Sequence, residues 1–163
     1  MMAGRSSFNP LSSYSFEGLI IMVKIEGNDF PEDIFYHRDH MWVKFEGDKA
    51  RVGYNDWAQE AAGKLVNLNT RKVGRSVKAG KTLGTVESGK WVGPLKTPVS
   101  GEIVEVNEEV LKNPSIINDD PYGKGWVALI ATTDADGEKG DLIEGSDAAT
   151  LESWLGEEKA KHT

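Results

Sequence analysis

The stretch GTVESGKWVGPLKTPVSGEIVEV, residues 84–106, sets a single lysine, Lys90, beside a glycine and between two runs patterned as strands. A free lysine amine is protonated at neutral pH, with a pKa near ~10.4, and most lysines are solvated charges and nothing more. Held out on a rigid tight turn, the same amine becomes a point to which an enzyme can attach a prosthetic group. Gly89 is expected to let the backbone make that turn and to leave the amine uncrowded. Glu87, Ser88, Gly89 and Trp91 form its immediate setting.

Other residues with chemical potential carry less. The chain has no cysteine, which excludes disulfides, thiolate metal sites and a cysteine nucleophile, so sulfur chemistry has to arrive on a cofactor. His37 and His40 stand three apart in a segment read as extended, on opposite faces, which argues against a metal site or a catalytic pair. Asp119, Asp120, Tyr122 and Trp126 read as a packed turn without a paired base or nucleophile. No catalytic residue and no metal ligand is expected.

Composition fits a soluble, turn-rich protein of mostly β-structure: 39% apolar, 28% charged, with 18 glycines among 163 residues. The net charge of −7 argues against nucleic-acid binding. Its distribution is uneven, because residues 64–96 hold eight bases against one acid, Glu87, leaving −14 for the rest. That segment reads either as solvated strand edges or as a basic surface for an anionic cargo or acidic partner. The longest apolar run, LIIMV at 19–23, is too short for a membrane span or a secretory core, so a cytoplasmic protein without a membrane partner is expected. Residues 1–28 are set apart as an N-terminal extension, upstream of a plausible true start at Met22, and residues 29–163 as one domain.

The elements that must position Lys90 follow from the pattern. MWVKFEGDKARVGY (41–54) predicts a hairpin around Glu46-Gly47-Asp48. Asp56 as cap and Gly63 as stop predict a short helix over DWAQEAAG. Strands are predicted at 64–69 and 81–88, with turns at Gly74 and Gly80, and again at 102–106 after Pro98 and Gly101. Asn113-Pro114 opens a helical turn, and 126–131 reads as a strand. Ser146 or Asp147 caps a C-terminal helix whose Leu151, Trp154 and Leu155 share one face.

HMWVKFEGDKARVGYNDWAQEAAGKLV, GKTLGTVESGK, TPVSGEIVEVN and NPSIINDDPYGKGW, in order across about residues 33–131, resemble the H-protein family of the glycine cleavage system. In that family the lysine of a Glu-Ser-Val-Lys motif carries lipoate through an amide bond, and Glu87-Ser88-Gly89-Lys90 lies on the motif position for position. The resemblance implies a mainly β fold, a hybrid barrel-sandwich of two antiparallel sheets with short helices and a C-terminal helix. It also implies a non-catalytic carrier whose lipoyl-lysine visits several enzymes. A lipoate ligase or lipoyl transferase would load it, and dihydrolipoamide dehydrogenase is a further partner. Biotin carriers flank their lysine with methionines, whereas here the neighbours are Gly89 and Trp91. Trp91 reads equally as an aromatic wall on the dithiolane, a recognition feature for the lipoylating enzyme, or packing. A non-lipoylated interaction domain is the rival of another class.

The chain departs from the family pattern where the cargo would rest. The family pairs a His-Glu-Trp with an aspartate four residues after the lipoyl-lysine, two carboxylates suited to an aminomethyl ammonium. Here stand His40-Met41-Trp42 and Pro94. A cation without those partners forgoes charge-assisted hydrogen bonds of about 1.5–3 kcal/mol each. Trp57 and Lys64 add aromatic and basic character in place of the family's histidine or tyrosine and its aspartate. His40, Met41, Trp57, Lys64 and Pro94 are therefore expected to line the docking place of arm or cargo, with Lys64 and Lys96 close to an anionic one. With ESGKWVG and GKGW the chain is similar to lipoate-binding proteins of heterodisulfide-reductase-like sulfur oxidation, which implies sulfur intermediates as cargo and that complex as partner. Glycine cleavage enzymes, with an aminomethyl cargo, are the alternative.

Overall fold

The computed structural model describes residues 12–14 and 21–161. Among the described residues every strand pairing is antiparallel, in three sheets. The smallest that matters for function joins β7 (Leu65–Thr70), β9 (Thr82–Ser88) and β10 (Val92–Lys96), with β9 central. A seven-stranded sheet carries β4 (Phe35–Tyr36), β5 (Met41–Glu46), β6 (Lys49–Tyr54), β8 (Ser76–Val77), β11 (Gly101–Val106), β12 (Ala128–Thr132) and β13 (Ile143–Glu144). The third, beyond the two expected, pairs β1 (Ser12–Tyr14), β2 (Ile21–Ile25) and β3 (Asn28–Pro31). Ile25, within the stretch set apart as an extension, is buried in the core beside Phe30.

The mainly β expectation holds, and most predicted elements lie within two residues of their places. The hairpin β5–β6 turns through Gly47-Asp48, with Gly47 at φ 66°. Trp126 and Val127 precede β12 instead of opening it, although the Val127 amide donates to Val52. The C-terminal helix α5 (Ala148–Lys161) is capped by Asp147, which accepts from the Thr150 amide and hydroxyl, and it buries Leu151, Trp154 and Leu155. The other helices are α2 (Glu108–Lys112) and α3 (Ser115–Asp119), between β11 and β12 in the chain, and α4 (Ala135–Glu138) after β12. The cluster at 119–126 is packing, as read: Trp42 Nε1 donates to Pro121 O, and the Arg51 guanidinium lies 4.4 Å from the Trp126 ring centroid.

Helix α1 (Asp56–Ala62) is clamped at both ends. Its cap is Asn55, not Asp56: Asn55 Oδ1 accepts from the Ala58 amide at 2.8 Å. Asp56 instead accepts from the Asp29 amide and the Gln59 side chain, while the Tyr122 hydroxyl accepts from the Asp56 amide and donates to Asp29 O. At the other end Asn118 donates to Gln59 Oε1 and Gly63 O and accepts from the Leu65 amide. The helix therefore sits rigidly against the start of β7. Among the glycines, Gly84 in β9 is fixed by space, since a Cβ there would overlap Asn69 O of the neighbouring strand. We expect Gly84→Ala to cost about 1–3 kcal/mol in urea unfolding, as overpacking against backbone does, with an unchanged cost contradicting the close approach.

Candidate functional site

Lys90 occupies a bend between β9 and β10, exposed, as read from its setting. Among the described residues no ion pair reaches it. Ser88, buried at 4%, closes the bend: its amide donates to Trp91 O at 2.7 Å, and its hydroxyl accepts from the Lys90 amide at 3.3 Å. Glu87 is exposed and accepts from Asn67 Nδ2 across the sheet at 3.1 Å. Gly89 is not needed for a left-handed backbone, having no positive φ; a Cβ there would meet nothing within 4 Å. Its contribution is open approach to the amine rather than the turn itself.

The Lys90 stem runs beside the end of α1. A Cβ on Gly63, which has φ 87°, would come to 3.2 Å from Lys90 Cε. Beside it opens a cleft of about 210 Å³ lined by His40, Tyr54, Trp57, Ala58, Ala61, Ala62, Lys90 and Trp91. Apart from Lys90 the lining is aromatic residues and alanines, and no carboxylate is among it. Burial pushes the Tyr54 hydroxyl up to about 12, so it stays protonated across the physiological range. Trp91 keeps 42% exposure and lines the cleft. Its indole lies over Gly93, where any Cβ would collide with the ring. On the other side of Lys90 a shallow recess is lined by Ala62, Gly63, Lys64, Val66, Gly89 and Lys90.

The expected docking set divides. His40, Trp57 and Lys64 flank Lys90. Met41 does not: it is wholly buried in the core, because β5 turns that position inward opposite Tyr54. Pro94 is exposed on β10 opposite Thr85, strand positions away from the tip, and touches neither recess. Lys96 pairs with Thr82 at the far end of the same hairpin, where its charge acts on His37. Sequence reasoning missed Tyr54 and the Ala58, Ala61, Ala62 face; the alanine spacing along DWAQEAA was the available signal.

His37 and His40 flank a tight turn rather than lying along a strand, with the His40 amide donating to His37 O and His40 at φ 80°. His40 packs at 5.2 Å from Trp57 and 6.1 Å from Trp154, and its Nε2 lies 3.3 Å from Glu158 of α5. No group of residues suited to a metal occurs among the described residues. The eight bases of 64–96 form no ion pairs among the described residues, and the exposed large apolar side chains Val66, Val73, Trp91 and Val92 fall in the same segment. No described helix is long and apolar enough to cross a membrane.

Residues 34–153 match the family described as Glycine cleavage H-protein. The chain is similar to glycine cleavage system H protein 5 of Aquifex aeolicus, 40% identical over 143 residues that cover 85% of this chain and 97% of that protein. To the probable glycine cleavage system H protein 2 of Sulfolobus acidocaldarius it is 46% identical over 129 residues, 76% of this chain and 86% of the relative. The crystal structure of a glycine cleavage system H protein from Mycobacterium marinum superposes with a TM-score of 0.67 at 39% identity, covering 76% of this chain and 98% of that one.

Two outcomes test this geometry. Gly93→Ala should displace the Trp91 indole and shift the tryptophan emission, while unfolding stability drops by no more than ~3 kcal/mol; an unaltered spectrum would contradict the packing. Burial, the largest effect on His37, outweighs the opposing pull of Asp39 and lowers its pKa. In an NMR titration His37 should therefore protonate below ~6.5. The unfolded chain then binds more protons between that midpoint and ~6.5, so the contribution of His37 to stability is present above ~6.5 and is lost as pH falls through the folded value. A midpoint above ~6.5 would refute it.

Proposed function

The chain belongs to the glycine cleavage H-protein family, and from that premise we propose that it is a covalent carrier in which Lys90 bears lipoate and the enzymes of glycine cleavage load and unload the arm. Members of the family are non-catalytic and hold lipoate on a lysine. The observation that carries the assignment to Lys90 is its exposure on a hydrogen-bonded bend, free of ion pairs among the described residues.

The residues fit the group. Ser88 fixes the backbone from which the arm leaves, Gly89 leaves the approach open, and the neighbouring cleft offers apolar surface for an apolar head. When bound, lipoate supplies a disulfide-dithiol pair on a long tether to a chain with no thiol of its own. What the protein contributes is presentation: a rigid root for the arm, a wall of aromatic rings beside it, and a surface for the enzymes that act on it. A lipoate ligase or lipoyl transferase and dihydrolipoamide dehydrogenase are the remaining partners of this reading.

A second reading gives the arm sulfur intermediates and a heterodisulfide-reductase-like partner. One observation favours it: no carboxylate lines the cleft where an aminomethyl ammonium would need one. The two relatives and the crystal structure described above are glycine cleavage H proteins, so it stands second.

Incubated with lipoate ligase, ATP and lipoate, the wild-type chain should gain the mass of one lipoyl group and Lys90→Arg none. The lipoylated chain should then support glycine decarboxylation by the family's partner enzymes. No mass gain with any competent ligase would overturn the carrier reading; a loaded chain inert in decarboxylation would put the sulfur reading first.

A further inference from the structure

The end of the β7–β9–β10 sheet opposite Lys90 gathers cations that presentation of the arm does not use. Arg71 follows β7, Lys81 precedes β9 and Lys96 ends β10, so each strand brings one cation to the same end. Arg71 Nε donates to Thr82 O at 2.9 Å and its amide to Leu83 O, which fixes it across the hairpin. Beyond the strands the chain makes two β-turns, 72–75 and 78–81, closed by the Arg75 amide on Lys72 O and the Lys81 amide on Lys78 O. Each has glycine in third place, Gly74 at φ 95° and Gly80 at φ 84°, as a type II turn requires. A cation therefore stands at the first and last corner of both turns. Between them β8 is tied to β11, and the Gly74 amide donates to Ile103 O. The side chains of Lys72, Lys78 and Lys81 are exposed and make no hydrogen bond or ion pair among the described residues. Val73, 55% exposed, sits among them in the first turn. Of the acids that come near, Glu138 is held by the Ser100 amide and hydroxyl, and Glu102 stands opposite Ser76.

At physiological ionic strength charges act over about 8 Å, so a partner touching this end meets its cations and not the acids elsewhere on the chain. The seven residues of β9 separate it from the bend by roughly 20 Å, so a partner docked here holds Lys90 at a set distance. We propose that this basic end is the docking surface for an acidic patch on the enzyme that attaches the lipoyl group. The inference rests on Lys90 as the attachment point. The attaching enzyme meets the chain before any arm exists, whereas later enzymes are also held through the arm, whose tether raises local concentration. Recognition by surface alone is needed most at that first encounter. Exposed charges serve it because they speed association more than they slow release. A nucleic acid is a poorer occupant, since an extended polyanion would run from this end onto a remainder that carries −14. A second copy brings the same net −7 and is repelled as a whole.

Lipoylation by the cognate ligase with ATP and lipoate, followed by intact mass at varied concentrations of the chain, gives kcat and KM. Lys72→Glu combined with Lys81→Glu should raise KM about tenfold at low salt and leave kcat unchanged, because these cations act on the encounter and not on the Lys90 amine. Lys44→Glu combined with Lys124→Glu makes the same change in net charge on β5 and in the turn before β12, and should move KM by less than about twofold. Lys72→Arg combined with Lys81→Arg should keep the wild-type KM. At about 0.5 M salt the difference between the wild type and the Lys72, Lys81 glutamate variant should vanish. A loss seated in kcat, or one that persists at high salt, would mark the two lysines as structural and overturn the proposal. Equal effects of the two glutamate pairs would overturn it as well, leaving net charge as the cause. Sedimentation velocity checks the competing occupant: a wild-type dimer that dissociates only in the Lys72, Lys81 glutamate variant would give the surface to a second copy. If the wild type gains no lipoyl group, the carrier reading fails and this inference falls with it. A loaded chain whose KM ignores Lys72 and Lys81 refutes the inference alone.

Discussion

A lysine that is to carry a load must be kept away from every acid and from the core, and the hydrogen bonds closing residues 88–91 impose that constraint. Ser88 spends its amide on Trp91 O and its hydroxyl on the Lys90 amide, so the bend is fixed from within the chain and needs no help from the lysine side chain. The central strand β9 delivers the bend between two partners, which makes its root stiff. Lys90 is then left with its stem beside Gly63 and its amine outside. Rigidity of the root and freedom of the arm are two sides of one arrangement.

The rest of the fold can be understood as the support for one wall. Helix α1 carries Trp57 and the alanines of the cleft, and seven residues are too few for a helix to stand alone in water. Asn55, Asp56, Tyr122 and Asn118 hold it by side-chain hydrogen bonds at both ends, drawing on β3, α3 and the turn after α3. The His40 ring joins that wall to α5, which extends beyond the segment matched to the family. Substitutions far from Lys90 in sequence can therefore shift the cleft by loosening its supports.

Much of this was legible in the letters. Alternation and turn residues located the strands, and the Glu87 to Trp91 run located the lysine, because hairpin tips are local events written in neighbouring residues. The composition of the cleft was less legible. Met41 and Pro94 were drawn in by comparison with a pattern of carboxylates, yet strand direction turns Met41 into the core and register carries Pro94 away from the tip. Tyr54 was invisible because its position depends on β6 meeting α1, a tertiary contact without local signature. The cap of α1 slipped by one residue since Asn55 and Asp56 are both good caps, and Asp56 was claimed by the Asp29 amide.

The chain holds other exposed lysines close by, Lys64 among them, so the claim that the bend and not mere exposure selects the attachment point can be tested directly. Peptide mapping by mass spectrometry of the enzymatically lipoylated protein locates the group. The account predicts it on the peptide containing Glu87 to Trp91, at Lys90, and on no other lysine; a lipoyl group at Lys64, or spread over several exposed lysines, would contradict it.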